Sequence, residues 1–599
     1  NDLELLRRYE PIIRFTAGEL FFPFAVDEYV RECSLWLRDR KGRSRALVAR
    51  GALDLDVLVA RGEASNGHAL YLRFVERPLT PREYQQWRLR TGRVHFRAPG
   101  RLARVPPWSR LLDSAFDLSL LLRGRVPGGT TAAAQIKYKN LLTRDDRPVY
   151  YGRVVRAGGW IALHYLFFYA MNDWRSTFHG ANDHEADWEQ VFVYLYETAD
   201  GMLEPRWVAY ASHDYHGDDL RRRWDDPLLV REGRHPVIFA AAGSHASYFE
   251  RGEYLMGFEP GFLRPIKQLA GSLRSFWVET LGQGEPDAVD RTVKALVNVP
   301  FVDYARGDGV AIGPGEDREW TAVLISEDLP WVGRYTGLWG LDTHDPFGGE
   351  RAPAGPKYDR DGSVRLSWYD PLGFAGLDKT LPPPQLAPAL KTRQRLLTDE
   401  LEDVDARVEE SSRAVQTLTL DKDALRTTAL SSALHEQTAA DLRSAETALR
   451  SLKERRNRLV QTREAVALYA DRVRAGTAEH PQAHLRNVHH PDRTPAPRRI
   501  LQVWAALSGA IALLAFMTLL VLRPAHWWFW ALLLGMIFAT IEAAAERRLL
   551  NFLLNVAIVL AVISALILIW EFWRGILVVA LAIAIAFVIR DNVRELRSA

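Results

Sequence analysis

The sequence predicts a multi-domain chain: a β-rich α+β, sandwich-like N-terminal domain, an α-helical coiled-coil hairpin, and a C-terminal bundle of about four transmembrane helices. Three observations carry this reading. Residues 1–375 hold many short apolar alternating runs broken by Gly and Pro, the pattern of strands and turns. Residues 391–475 contain neither Gly nor Pro and place apolar side chains on a three-four spacing. Residues 501–589 are almost free of charge in a chain that is 25% charged overall.

In the N-terminal domain, residues 1–380, the most informative stretch is Trp160–Leu195, read as two strands joined by a polar loop. Strand side chains alternate with period two, so Asp187, Glu189, Val191, Val193 and Leu195 share one face. Two carboxylates at the edge of a buried face repel each other and lose hydration, and so require a cation, an arginine or a shared proton. His184, three residues before Asp187, reaches the same point, and Asp173 or Asp183 adds an oxygen. One imidazole among carboxylates suits Mg²⁺, Ca²⁺ or Mn²⁺ rather than structural zinc. With Arg175 or Arg153 as counter-charge, the same residues make a structural polar cluster. Two further histidines end apolar runs: Trp207–Ser212 leads into His213, and Pro236–Ala242 into Gly243, Ser244 and His245. Strand ends commonly converge into sites, which makes His213 and His245 the candidate general bases. Ser244 lacks a G-x-S-x-G elbow and is not read as a nucleophile.

Leu381-Pro382-Pro383-Pro384 closes this domain. Residues 390–476 follow as the stalk, with apolar positions at Leu397, Leu401, Val404, Val408, Val415 and Leu418, and again from Leu442 through Leu449 to Val473. The seam fades between Thr419 and Gln437, where the turn of a hairpin belongs. Residues 477–499 are expected to be a solvated linker. Pro481 and Pro491 break the helix that would align His480, His484, His489 and His490 on a metal. In the membrane region, residues 500–590, spans are expected at 501–522, 526–545, 549–570 and 573–589. The last contains only the 15 apolar residues Gly575–Ile589, so three spans are the alternative. Arg498, Arg499, Arg547, Arg548, Arg590, Arg594 and Arg597 flank one side of the membrane, against Arg523 and Arg574 on the other. This bias predicts an integral protein of the plasma or cytoplasmic membrane with its N-terminal domain and C-terminus in the cytoplasm. Asn551 and Asn555 read as helix contacts, and Glu542 as an interfacial residue.

Composition narrows the function classes. Lys+Arg 77 against Asp+Glu 74 leaves a formal charge of +3, without the broad basic surface that nucleic-acid binding needs. Cys33 is the single cysteine, so no internal disulfide or thiolate cluster forms. The opening NDLELLRRYE has no apolar core of a signal peptide. The basic run Arg38–Arg45 and the Gly/Pro-rich 348–356 read as loops.

Five segments carry a resemblance: Leu6–Val30, Leu163–Asp173, Asn182–Glu189, His235–Tyr248 and Gly337–Tyr358. In this order they resemble the fungal and plant vacuolar protein sorting-associated protein 62 family, over most of residues 1–375. The Asp187-Trp188-Glu189 core is similar, more remotely, to the His-Arg-His-Asp-Trp-Glu region of necrosis-inducing toxins, β-sandwiches that bind a divalent cation and recognise sphingolipid sugar headgroups. Position by position, that resemblance assigns metal-binding roles to His184, Asp187 and Glu189, with Asp173 as the outer aspartate. The toxins' second histidine falls on Ala186, a departure from their pattern. Neither resemblance implies an established reaction. The expectation is a membrane-anchored cytoplasmic recognition or scaffold protein with a divalent-cation site in its head. It would contact membrane lipids, form homo-oligomers through the coiled coil and the spans, and dock a protein complex on the head. The alternatives are a metal-dependent hydrolase of a lipid, glycan or phosphoester, with a metal-bound water as nucleophile, and a subunit of an oligomeric channel.

Overall fold

The computed structural model describes residues 1–63, 69–90, 103, 105, 107–126, 128–173, 183–212, 215–258, 299–343, 351–427, 432–476, 479–488, 490–492, 499–522 and 525–598. His213 lies outside them, as do Arg175 and the 348–350 part of the Gly/Pro-rich loop. The chain divides into two compact units: residues 1–96, 120–256 and 302–492 in one, and 97–119, 257–301 and 493–599 in the other.

The first unit is β-rich. Its central six-stranded sheet runs Thr321–Leu324, Val149–Ala157, Trp160–Asn172, His184–Glu197, Leu203–Tyr210 and Arg221–Arg223 in spatial order. The first pair is parallel and the rest are antiparallel. A second sheet orders Arg231–Glu232, His235–Ala240, Ile12–Arg14 and Ala311–Ile312, with Ser247–Tyr248 added against His235–Ala240. A small sheet joins Ser44–Val48, Ser34–Arg38 and Ala69–Arg73.

Period-two alternation divides the core. Leu163, Tyr165, Phe167, Tyr169, Val191, Val193 and Leu195 turn to one face of the central sheet, where Ile13, Ile238, Ala240 and Ile312 of the second sheet meet them. Leu166, Phe168, Ala170 and Trp188 turn to the other face, among Tyr29, Phe74, Trp331 and Trp339. There Trp188 packs edge-on to Trp339 at 5.5 Å and tilted on Phe168 at 5.0 Å.

Two long helices, Pro383–Thr427 and Ser432–Arg474, pack against each other and bury Leu397, Leu401, Val404, Leu442 and Leu449 from the apolar positions of the sequence pattern. Arg456 pairs with Asp405 across them. Within residues 479–488 the head supplies partners for His484, Arg486 and Asn487. The His484 ring stands edge-on to Trp207 at 4.8 Å, with Nε2 3.0 Å from the Arg221 carbonyl. The Asp219 carboxylate accepts from the Arg486 and Asn487 amides.

Among the described residues of the second unit, four helical stretches are long and apolar enough to cross a membrane: Arg499–Leu522, Trp527–Ala545, Leu549–Leu568 and Trp570–Arg594. The last two belong to one helix, Leu549–Ser598, broken only where Phe572 leaves helical geometry at φ −110°, ψ 16°.

Candidate functional site

The register between Trp160–Asn172 and His184–Glu197 sets Tyr169 opposite Asp187 and Phe167 opposite Glu189, so the two carboxylates do share the face of Val191 and Val193. Ala186, immediately before them, takes a left-handed φ of 57°, unusual for a residue with a Cβ. That reversal breaks the alternation. Glu185, which a regular strand would put beside Asp187, lies on the Trp188 face instead. Its carboxylate accepts three backbone N–H bonds there, from Phe74 at 2.8 Å, Val75 at 2.7 Å and Leu341 at 3.0 Å. Burial pushes the Glu185 carboxyl up, and the three amides hold it partly down.

Asp187 meets His245, not His184. The 241–246 turn closes with Ala241 N–H donating to the Ala246 carbonyl, and inside it His245 also has a left-handed φ, 56°. This strained turn sets the imidazole flat on the Tyr169 ring, with centroids 3.8 Å apart and planes 6° apart. Nδ1 lies 2.9 Å from Asp187 Oδ2, and Nε2 lies 3.7 Å from Glu19 Oε1. The imidazole is 0% exposed. Burial alone lowers its pKa, but the hydrogen-bonded Asp187 and the Glu19 carboxylate overcome that and raise it to about 9. Glu19 is itself fixed by the amides of Leu20, Phe21 and Gly243 at 2.7, 3.0 and 2.8 Å.

Two carboxylates around one imidazolium leave a surplus negative charge. Half-buried Glu189 registers it: burial, then the adjacent Asp187 charge, push its carboxyl well above the usual range.

The other nominated residues have different partners. His184 Nδ1 donates to the Ala186 carbonyl at 2.7 Å. Thr131 Oγ1, from the Gly129–Leu142 helix, lies 3.3 Å from Asp173 Oδ1 and 3.1 Å from Asp183 Oδ2, while the Asp173 amide donates to the Gly243 carbonyl. Arg153 stacks on Trp368 and donates to His164 Nδ1 at 3.1 Å, so it is not the counter-charge of Asp187. Among the described residues, no three His, Cys, Asp or Glu side chains converge as a metal-ligand set. Asp187 and Glu189 share one strand face and are carboxylates of the kind a hard cation takes.

Ser244 Oγ donates to Asp303 Oδ1 at 2.8 Å, and Tyr248 donates to the other oxygen of the same carboxylate. The serine is thus tied to an acid, not to His245. Ser244→Ala is expected to cost about 1 kcal/mol, the net value of one hydrogen bond, in the urea midpoint of the full chain. A loss above roughly 3 kcal/mol would contradict that simple role.

Comparison with known proteins finds a curated relative. The chain is 26% identical over 238 residues to the "Putative vacuolar protein sorting-associated protein TDA6" of Saccharomyces cerevisiae, a match covering 35% of this chain and 44% of the relative. No family model matches the chain, and no solved structure matches it. What the comparisons support is a remote relation to a vacuolar protein sorting-associated protein.

Proposed function

We propose that the chain is a membrane-anchored recognition and scaffold protein: a sandwich-like head carried on a coiled-coil hairpin and held by the apolar C-terminal helices. The observation that carries this reading is a convergence. Glu19, Tyr169, Asp187 and His245 come from four of the five segments through which the chain resembles the vacuolar protein sorting-associated protein 62 family, and they meet at one buried centre. The centre is built for rigidity rather than turnover. A general base must reach the proton it abstracts and be unprotonated to accept it. His245 is shielded, and its flanking acids keep it cationic up to about pH 9.

The relative's name favours a place in vacuolar protein sorting, and with it an internal membrane over the plasma membrane. The arginine bias favours a cytoplasmic head and C-terminus. The long helices and the spans offer surfaces for self-association, and the head a surface for a partner complex. Mg²⁺, Ca²⁺ or Mn²⁺ would be held by Asp187 and Glu189, its charge offsetting the burial and the Asp187 repulsion that push the Glu189 carboxyl up.

Elemental analysis of the purified full chain beside Asp187→Ala/Glu189→Ala, run with a screen of phosphoester, glycoside and carboxylester hydrolysis, tests the proposal. Absence of turnover supports recognition, and stoichiometric metal lost in the variant supports the cation site. Turnover abolished by Asp187→Ala overturns recognition in favour of a hydrolase. Equal metal content in the two proteins overturns the cation site alone.

A further inference from the structure

The Pro107–Leu122 helix is 16 residues long, too short to cross a bilayer of about 30 Å at 1.5 Å per residue. Its side chains are nonetheless arranged as a membrane helix arranges them. Arg110 is 2% exposed, and its guanidinium donates to Ser508 Oγ at 2.9 Å and to the Glu542 carboxylate. Trp504 Nε1 donates to the other Glu542 oxygen at 2.6 Å. Ser508 and Trp504 belong to the first apolar helix and Glu542 to the second, so one arginine ties this helix to both. The approach is close because position 509 is glycine: a Cβ there would lie 2.6 Å from the Arg110 carbonyl oxygen and 2.8 Å from Ser114 Oγ.

While Arg110 and Ser114 face the apolar helices, Leu111, Leu118 and Leu122, spaced i, i+7, i+11, form a separate stripe that is 39%, 37% and 79% exposed. A helix in water hides its leucines and shows its charges. Here Arg110 is buried while Leu111, Leu118 and Leu122 are exposed, an arrangement that favours apolar surroundings. Depth agrees. Ser508 lies nine residues into Arg499–Leu522, about 14 Å from its start, and Glu542 lies three residues before the end of Trp527–Ala545. Consecutive spans run oppositely, so both points belong to the leaflet that holds Arg499 and Arg548.

We propose that the Pro107–Leu122 helix is itself membrane-embedded: an interfacial helix seated in the Arg499-side leaflet, locked to the spans by Arg110, with Leu111, Leu118 and Leu122 against lipid acyl chains.

The test is site-directed spin labelling of the full chain in phosphatidylcholine vesicles carrying phosphatidylserine. Cys33 is fully buried and leaves a clean background. Leu118→Cys and Leu122→Cys are labelled singly, with Leu560→Cys in the third span as the lipid reference and Ser44→Cys in an exposed head strand as the water reference. Preferential collision with oxygen over a water-soluble nickel chelate at positions 118 and 122, as at 560, is the expected result. Nickel accessibility like that at position 44 would overturn the proposal. So would shielding from both reagents, because it would mean that protein, such as a second copy of the chain, covers the leucines. Leu111→Cys gives a third reading if either variant folds poorly.

Discussion

Replacing Glu185 with alanine is expected to lower the stability of the full chain by roughly 4 kcal/mol. The carboxylate accepts three amide bonds from two segments remote in sequence, Phe74-Val75 and Leu341, in a fully buried place. Alanine would leave three N–H groups without an acceptor where no water reaches, each costing on the order of 1–3 kcal/mol. Glu185→Gln is the informative companion. Two of the amides bond Oε2 and one bonds Oε1, so a glutamine turned to keep the pair points its NH₂ at a single donor, Val75. Its cost is expected to be about half that of alanine. Urea unfolding followed by tryptophan fluorescence measures both. An alanine variant within 1 kcal/mol of the parent would show that the three bonds contribute little net stability.

The second large effect concerns pH. His245 titrates near 9 in the folded head against an ordinary 6.5, so its pairing contributes about 3 kcal/mol that is complete below pH 6.5 and is lost as pH rises through 9. The direction follows from the raised value: the folded state holds a proton that the unfolded chain has released. Stability of the parent should therefore decline between these two values. His245→Asn tolerates the left-handed backbone at this position and cannot be protonated. It should be less stable at pH 6 and should lose that decline. An unchanged slope in the variant would mean that another group carries the titration.

How much of this was legible in the sequence depends on how local each signal is. The apolar helices were readable because length without charge is a property of one segment. The shared face of Asp187 and Glu189 was readable because period two holds from residue 187 onward. It fails one residue earlier, at Ala186, where no glycine marks the left-handed turn, and so Glu185 was missed. Glu19 and Asp303 were missed for another reason. Each is an ordinary acid in its own segment and acquires its role only when folding sets it near His245 or against Ser244. Glu542, read as an interfacial residue, became a buried ion-pair partner because its arginine lies more than 400 positions upstream.

That separation has a consequence in time. Arg110 and Glu542 are 432 residues apart, so at about 5–20 residues per second the ribosome needs roughly 20 to 90 s to deliver the acceptor after the arginine has been made. Throughout that interval the leucine stripe of the Pro107–Leu122 helix has neither its bilayer nor its partner helices. The nascent chain must therefore be sheltered, by a chaperone or by early adsorption to a membrane surface. Docking of Arg110 onto the spans closes only after about nine-tenths of the protein has been synthesised, so that a truncated chain would carry a permanently sticky helix and be a natural substrate for quality control.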